Sequence, residues 1–266
     1  MSKVTVATLK KMKQAGEKFA CLTAYDASFA QLLEAAGVDV LLVGDSLGMV
    51  IQGQETTLPV SVNDMIYHTQ AVKHGSRSAM IMTDMPFMSY RSETQALENA
   101  GRMLKEGGAH IVKLEGGAAF IPVIEQLTRH GIPVCGHLGL LPQSVNKMGG
   151  YKVQGMDAQS AKSIVDDAKA LEQAGCDIML LECVPMQLAK QVTESLAIPV
   201  IGIGAGPFCD GQVLVLHDML GITPGKRPRF THDFLNESGS VTAAIEAYVK
   251  AVKSGAFPQE QHSYSS

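Results

Sequence analysis

Short apolar runs recur along the chain, at residues 19–24, 40–43, 79–83, 110–114, 134–137, 178–181, 200–203 and 213–216. Several are continuously apolar rather than alternating, which is the pattern of parallel strands covered on both faces. Between most of them, apolar positions return at helical spacing. After Ser28, residues Phe29, Leu32, Leu33 and Ala36 share one face and Gly37 marks a stop. Ser61 with Asp64, and Ser92 with Gln95, read as capping boxes that open helices running to about Lys73 and about Glu106, the second closed by Gly107 and Gly108. Ala161, Ile164, Val165, Ala168 and Leu171 form another apolar face, ended by Gly175. Pro185 stands where a first-turn proline starts the next helix.

A small internal repeat supports this parse. Ala36-Gly37-Val38-Asp39 precedes VLLVGD, Gly107-Gly108-Ala109-His110 precedes IVKLEG, and Ala174-Gly175-Cys176-Asp177 precedes IMLLEC. In each a helix stops at Gly, a strand follows, and the strand closes on an acid. Ile132-Pro133-Val134 and Ile198-Pro199-Val200 enter two further strands alike. Repeated strand–helix units require parallel pairing with crossovers. Eight of them predict a closed (β/α)8 barrel; an open doubly wound sheet is the alternative. The pattern breaks twice. Only residues 204–212 separate the last two runs, too few for a usual helix. Residues 138–157 (LGLLPQSVNKMGGYKVQGMD) lack periodicity and follow a strand, which predicts an active-site loop. The chain reads as one barrel domain over 1–266, with a short surface helix at its start and a frayed tail after about Phe257.

Composition narrows the picture. At 46% apolar the 266 residues can bury a large core, and barrels of this size form single domains. With 22 basic and 26 acidic residues the net charge is −4, which gives no electrostatic case for nucleic acid or anionic membrane. Only 18% of residues are charged, so apolar surface buried between subunits of a homo-oligomer is expected. Aromatic residues are few and Trp is absent, which argues against a base- or sugar-stacking surface. The five cysteines include no C-x-x-C pair, so neither a disulfide framework nor a zinc site is expected, and a reduced compartment fits. No run approaches the ~18 apolar residues of a membrane span, and the Lys-rich start lacks a signal peptide's apolar segment. A cytoplasmic protein is the expectation.

Chemistry in such a barrel sits where strands meet their following loops. The runs end in Tyr25-Asp26, Gly44-Asp45-Ser46, Thr83-Asp84, Lys113 with Glu115, Gly136-His137, Glu182, Gly202–Gly206 and His217-Asp218. Acids converging on one rim repel unless a cation is present. Asp45, Asp84 and Glu115 are the candidate cation site, and an oxygen-only set suits Mg2+ rather than a soft transition metal. Helix capping is the alternative for Asp45 and Asp84 individually. Lys113 and Glu115, two apart on one strand, point to one face; the lysine either holds an anionic substrate group or balances the acids. Glu182 closes the most apolar strand, where desolvation makes it a usable base. His137 fits a satisfied core histidine or a catalytic one equally well. IGIGAG (201–206) reads as a phosphate cradle or as glycines that permit close approach, and it is not a dinucleotide fingerprint.

The segments TAYDASFA, VGDSLGMVIQGQETTLPV, DMPFMSY, VKLEGG, GHLGLLPQSVN, GGYKVQG, LLECVP, IPVIGIGAG and DGQVLVLHDMLG run in order from about residue 4 to 263. In them the chain resembles the ketopantoate hydroxymethyltransferase (3-methyl-2-oxobutanoate hydroxymethyltransferase) family. That resemblance implies a (β/α)8 barrel of the phosphoenolpyruvate/pyruvate superfamily and transfer of a hydroxymethyl group from 5,10-methylenetetrahydrofolate to 3-methyl-2-oxobutanoate. The product is 2-dehydropantoate, reached through a metal-stabilised enolate. It also implies one Mg2+ per subunit at Asp45, Asp84 and Glu115, and 2-oxo acid binding by Asp45, Ser46, Asp84 and Lys113. Glu182 is the implied proton acceptor, His137 a possible addition, and the assembly a homodecamer. One position departs from the pattern: a basic residue is expected after GGYKVQG, where this chain has Met156, which bears on how the loop reaches the folate. Another Mg2+-dependent enzyme of the superfamily is the nearest rival, but the KKCGH loop of an isocitrate-lyase-like enzyme is absent. A non-catalytic barrel subunit is the second rival; it would have to keep buried acids and a lysine without use.

Overall fold

The computed structural model describes residues 3–223, 225 and 227–265. Eight parallel strands close into a barrel in chain order: β1 (Phe19–Thr23), β2 (Val40–Val43), β3 (Met80–Asp84), β4 (Ile111–Glu115), β5 (Val134–Gly139), β6 (Ile178–Glu182), β7 (Val200–Ile203) and β8 (Gly211–Leu214). Because β1 pairs with both β2 and β8, the open doubly wound alternative is excluded. β8 begins two residues before its apolar run. Gly211 and Gln212 carry no hydropathic signal, yet Gly211 pairs with Phe19, and a side-chain carbon there would meet the Phe19 ring at 2.4 Å.

Strand alternation sorts the core in two. Outward residues such as Leu22, Leu41, Ile81, Val112, Leu114, Val134, Leu181 and Val200 pack under the helices. Inward residues such as Phe19, Cys21, Val40, Leu42, Met80, Met82, Ile111, Cys135, Ile178, Leu180, Ile201 and Val213 fill the barrel interior. The inward series turns polar only at the C-terminal ends: Met80 and Met82 lead to Asp84, Ile111 to Lys113 and Glu115, Cys135 to His137, and Leu180 to Glu182.

The first helix, α1 (Val6–Ala15), is more than a surface helix. Its Leu9 is fully buried with Phe19, Cys21 and Val40 in the interior cluster, joined by Val4, Val6 and Met12. Val4, just before the helix, bonds Ser78, and Lys10 and Lys13 of the helix pair with Asp177 and Asp210; each partner stands just before a strand, so the segment stretches across the strand starts. It therefore plugs the barrel at the end opposite the polar residues. α2 (Ala27–Ala35) starts before Ser28, because Asp26 caps it by accepting from Phe29 N. Its buried face is Ala30 and Leu33; Leu32 is 38% exposed rather than in the core. The Ser61 capping box forms and opens α3 (Val62–Gly75). Ser92 caps α4 (Glu93–Arg102), but the box is not closed: the Gln95 side chain accepts from Arg91 N instead. A π turn (Met103–Gly107) carries this element to Gly108. α5 (Ile121–Arg129), α6 (Ala158–Gln173) and α7 (Met186–Ser195) follow, the last with Pro185 at its N-cap. No helix lies between β7 and β8, as their spacing predicts. α8 (Val241–Lys253) covers the closing seam, where the Tyr248 hydroxyl lies 2.9 Å from the carbonyl oxygens of Cys21 on β1 and Gln212 on β8.

The tail is not frayed. Glu260–His262 form a 3-10 turn, His262 and Ser263 are buried, and Tyr264 bridges Pro185 beside the barrel mouth. Apolar contact holds it: Phe257 and His262 pack ring to ring against each other and the Phe234/His232 pair. All five cysteines are buried and unpaired, consistent with their apolar settings. Among the described residues, no helix is long and apolar enough to cross a membrane.

Candidate active site

The polar ends of the inward rows open into a cavity of about 1040 Å3 at the C-terminal mouth. Strand register brings its groups together. Asp84 on β3 stands opposite Lys113 on β4, and Glu115 stands opposite His137 on β5. Lys113 Nζ lies 2.8 Å from Asp84 Oδ1, and both side chains are buried. The other oxygen, Asp84 Oδ2, accepts from the Asp45 amide at 3.0 Å. That bond turns the chain after β2 so that Asp45 faces the cavity. Gly44 permits it: a side-chain carbon there would lie 2.8 Å from Ser46 Oγ. Ser46 in turn hydrogen-bonds the Tyr25 hydroxyl at 2.8 Å.

His137 sits between the two ends of the site. Its Nδ1 lies 3.4 Å from Lys113 Nζ and 3.6 Å from Glu115 Oε1; its Nε2 lies 3.2 Å from Glu182 Oε2. An ammonium can only donate, so Nδ1 accepts and the ring proton resides on Nε2, facing Glu182. That contact is not aligned as a hydrogen bond. Glu182 ends β6 against Cys183, a non-glycine residue held at φ 47°. Its carbonyl receives the Leu140 amide at 2.8 Å, an approach that Gly139 allows, since a side-chain carbon there would strike that oxygen at 2.2 Å.

The electrostatics follow from burial. Desolvation, then the negative charges of Asp84 and Glu115, push Asp45 well above the usual carboxylate range. Desolvation pushes Glu115 up to about 7, with Lys113 opposing. Burial alone would depress Lys113, but Asp84, Glu115 and Asp45 outweigh it and hold the ammonium charged. Desolvation and then Lys113 lower His137, which keeps the imidazole neutral. Glu182 is raised by desolvation, with the His137 contact opposing. Several buried carboxylates thus face one lysine, a deficit of positive charge with oxygen donors only.

Gln143, which the sequence did not single out, lies at the centre of this network. It is buried, and its amide Nε2 donates to Asp45 Oδ2 at 2.8 Å and to Met85 O at 3.0 Å. Its backbone N donates to Glu115 Oε2 at 3.0 Å, and its Oε1 accepts from the Tyr90 hydroxyl at 2.6 Å. Nothing in an aperiodic loop marks one glutamine among its polar residues; only the folded path of 138–157 places it across the mouth. Tyr151, Lys152 and Val153 of the same loop line the cavity, whereas Met156 lies outside it, half exposed beside Gly155 and Leu188 in a shallow groove. Arg227, Arg229 and Tyr264 also line the mouth. His217 and Asp218 border the cavity too, while Asp26 serves as the α2 cap.

The predicted residues Asp45, Ser46, Asp84, Lys113, Glu115, His137 and Glu182 therefore share one cavity. Among the described residues, no three Asp, Glu, His or Cys side chains already surround a common point as metal ligands. Asp84 Oδ2 accepts from the Asp45 amide, while Oδ1 lies 2.8 Å from Lys113 Nζ as an ion pair but has no aligned hydrogen bond among the described residues. Asp45 and Glu115 each have one oxygen tied to Gln143 and one without a hydrogen bond among the described residues. Oxygens of Asp45, Glu115 and Asp84 without hydrogen bonds, over a charge deficit, fit Mg2+, which keeps several waters and takes one or two carboxylates directly.

Such a mouth on such a barrel defines an enzyme of the (β/α)8 class, with its chemistry at the C-terminal strand ends. Solved structures of similar fold include 2,3-dimethylmalate lyase, a phosphoenolpyruvate mutase/isocitrate lyase superfamily member (TM-score 0.62, 18% identity, 90% of each chain), and phosphonopyruvate hydrolase in complex with oxalate and Mg2+ (TM-score 0.63, 14% identity, 98% of this chain and 93% of that one). The sequence is more specific: the family model for ketopantoate hydroxymethyltransferase matches residues 3–260, and the chain belongs to that family. It is 59% identical to 3-methyl-2-oxobutanoate hydroxymethyltransferase 2 of Hahella chejuensis over 98% of this chain and 99% of that protein. It is 58% identical to 3-methyl-2-oxobutanoate hydroxymethyltransferase of Nitrosococcus oceani over 99% of this chain and the whole of that protein.

Proposed function

We propose that this enzyme transfers a hydroxymethyl group from 5,10-methylenetetrahydrofolate to 3-methyl-2-oxobutanoate, giving 2-dehydropantoate and tetrahydrofolate, with Mg2+ at Asp45, Glu115 and Asp84. The observation that carries this reading is the set of buried carboxylates facing the buried ammonium of Lys113 in the cavity of a chain that belongs to this family. A bound divalent ion supplies Lewis-acid stabilisation of the negative charge that develops on the keto oxygen when C3 loses its proton.

The protein's own groups do the rest. Lys113, fixed by Asp84 at 2.8 Å, presents its remaining donors to the substrate carboxylate, joined by the Ser46 hydroxyl that Tyr25 orients. Leu42, Leu180, Ile203 and Val213 line the cavity floor, an apolar wall for the branched alkyl end of the oxo acid. Glu182 accepts the C3 proton. Its raised pKa makes it a stronger base than an ordinary carboxylate. Neutral His137 stands beside that carboxylate, its Nε2 3.2 Å from Glu182 Oε2. The same reading includes a homo-oligomer, a decamer by family resemblance, supported by exposed Tyr67, Met88 and Met156 on a chain with little charge.

Deuterium exchange at C3 of the oxo acid, measured with Mg2+ and without folate, tests the site alone. Asp45→Ala should abolish metal-dependent exchange, and Glu182→Gln should slow it by about 10²- to 10⁴-fold, the span of general-base catalysis. Exchange at the wild-type rate in Glu182→Gln would remove Glu182 from the proton step.

A further inference from the structure

We infer that Gln143, backed by Tyr90, is a positioning residue that presents one free oxygen of Asp45 and one of Glu115 to the divalent ion; this rests on the metal reading above. The hydrogen bonds leave little choice about how the amide is oriented. Met85 O can only accept, so the group 3.0 Å from it is the Gln143 NH2. The second proton of that NH2 goes to Asp45 Oδ2 at 2.8 Å. The opposite end is then the carbonyl oxygen, so Tyr90 must donate its hydroxyl proton to Oε1, at 2.6 Å. Every donor and acceptor of the amide is used, and the backbone of the same residue binds Glu115 Oε2 at 3.0 Å.

One residue thus clamps two carboxylates from two strands, each by a single oxygen. Asp45 Oδ1 and Glu115 Oε1 are left without hydrogen bonds among the described residues. Both carboxylates are buried and of like charge, so without the clamp they would turn apart. Hydrogen bonds to ligating carboxylates typically account for 10–100-fold in metal affinity. Glutamate cannot substitute: its carboxylate would face Asp45 Oδ2 and Met85 O with no proton to give.

Mn2+, a hard divalent ion of the same ligand preference, is titrated into the full-length protein and followed by electron paramagnetic resonance. Gln143→Met, similar in length and without hydrogen bonds, is expected to weaken Mn2+ binding 10- to 100-fold. Tyr90→Phe, which keeps the Gln143 bonds to both carboxylates but loses the hydroxyl's bond to Gln143 and its 3.4 Å contacts with the Glu115 backbone, shifts it in the same direction by less. Melting temperature, read in parallel, separates this from unfolding. A Mn2+ affinity equal to wild type in both variants overturns the inference. If Asp45→Asn in the same titration loses binding, the metal reading stands and only the role of Gln143 falls. If wild type takes up no Mn2+, both fall together.

Discussion

Lys113 and Glu115 show how far one strand's alternation reaches. Two residues apart on β4, they both face the interior beyond Ile111, and cross-strand register then adds Asp84 and His137 beside them. Removing the ammonium leaves buried Asp84 unpaired. Lys113→Met should therefore cost about 3–5 kcal/mol, the usual penalty for breaking a buried pair, measured by denaturant unfolding in metal-free buffer. Unchanged stability would mean that the Lys113–Asp84 pair contributes nothing to the fold. A second carboxylate acts far from the site. Glu34 Oε2 accepts from the backbone amides of Arg77, Ser78 and Ala79 and the Ser76 hydroxyl, joining α2 to the start of β3. Burial opposes ionisation, but these bonds win and lower its pKa to about 2. A depressed pKa stabilises the fold above the unfolded value near 4.5 and loses that contribution as pH falls toward 2. Glu34→Gln should cost on the order of 1–2 kcal/mol at pH 7, discounted for solvent screening, with the deficit shrinking below pH 4.5 in thermal melts. A deficit independent of pH would contradict this.

At the scale of elements, the strands and most helix starts are legible because parallel strands buried on both faces leave continuous apolar runs. What the sequence hides is what tertiary contact decides. Leu32 shares a helical face with Leu33 by periodicity yet lies exposed, because the core side of α2 is centred on Ala30 and Leu33. Gln143 and the tail are polar or aperiodic, and only their contacts give them a place. The β5–β6 junction is equally specific: Gly139 has φ 95° and no room for a side chain against the Glu182 carbonyl. Gly139→Ala should displace the Glu182 end of β6 and lower C3 exchange more than it lowers melting temperature; full exchange activity would show that the junction has slack. Tyr264 belongs to the cavity wall and stacks with the Arg229 guanidinium at 5.9 Å. Tyr264→Ala should raise the KM for the larger co-substrate while leaving folate-independent exchange intact. An unchanged KM would confine the tail to a structural role.

Across the whole molecule, the barrel separates stability from chemistry by its two ends. α1 closes one mouth with Leu9, and the acids, Lys113 and His137 occupy the other. Leu9→Ala should cost about 2–5 kcal/mol and leave the catalytic constants unchanged well below the melting temperature. A change in those constants would show that the plug is coupled to the mouth. The central claim is that this mouth performs a metal-dependent one-carbon transfer to a branched 2-oxo acid. The most direct test is product formation from 3-methyl-2-oxobutanoate and 5,10-methylenetetrahydrofolate by the purified protein, with Mg2+ and after chelation. Formation of 2-dehydropantoate that stops on chelation and returns with Mg2+ is the predicted result. No product with Mg2+ present, or equal product without any divalent ion, would contradict it.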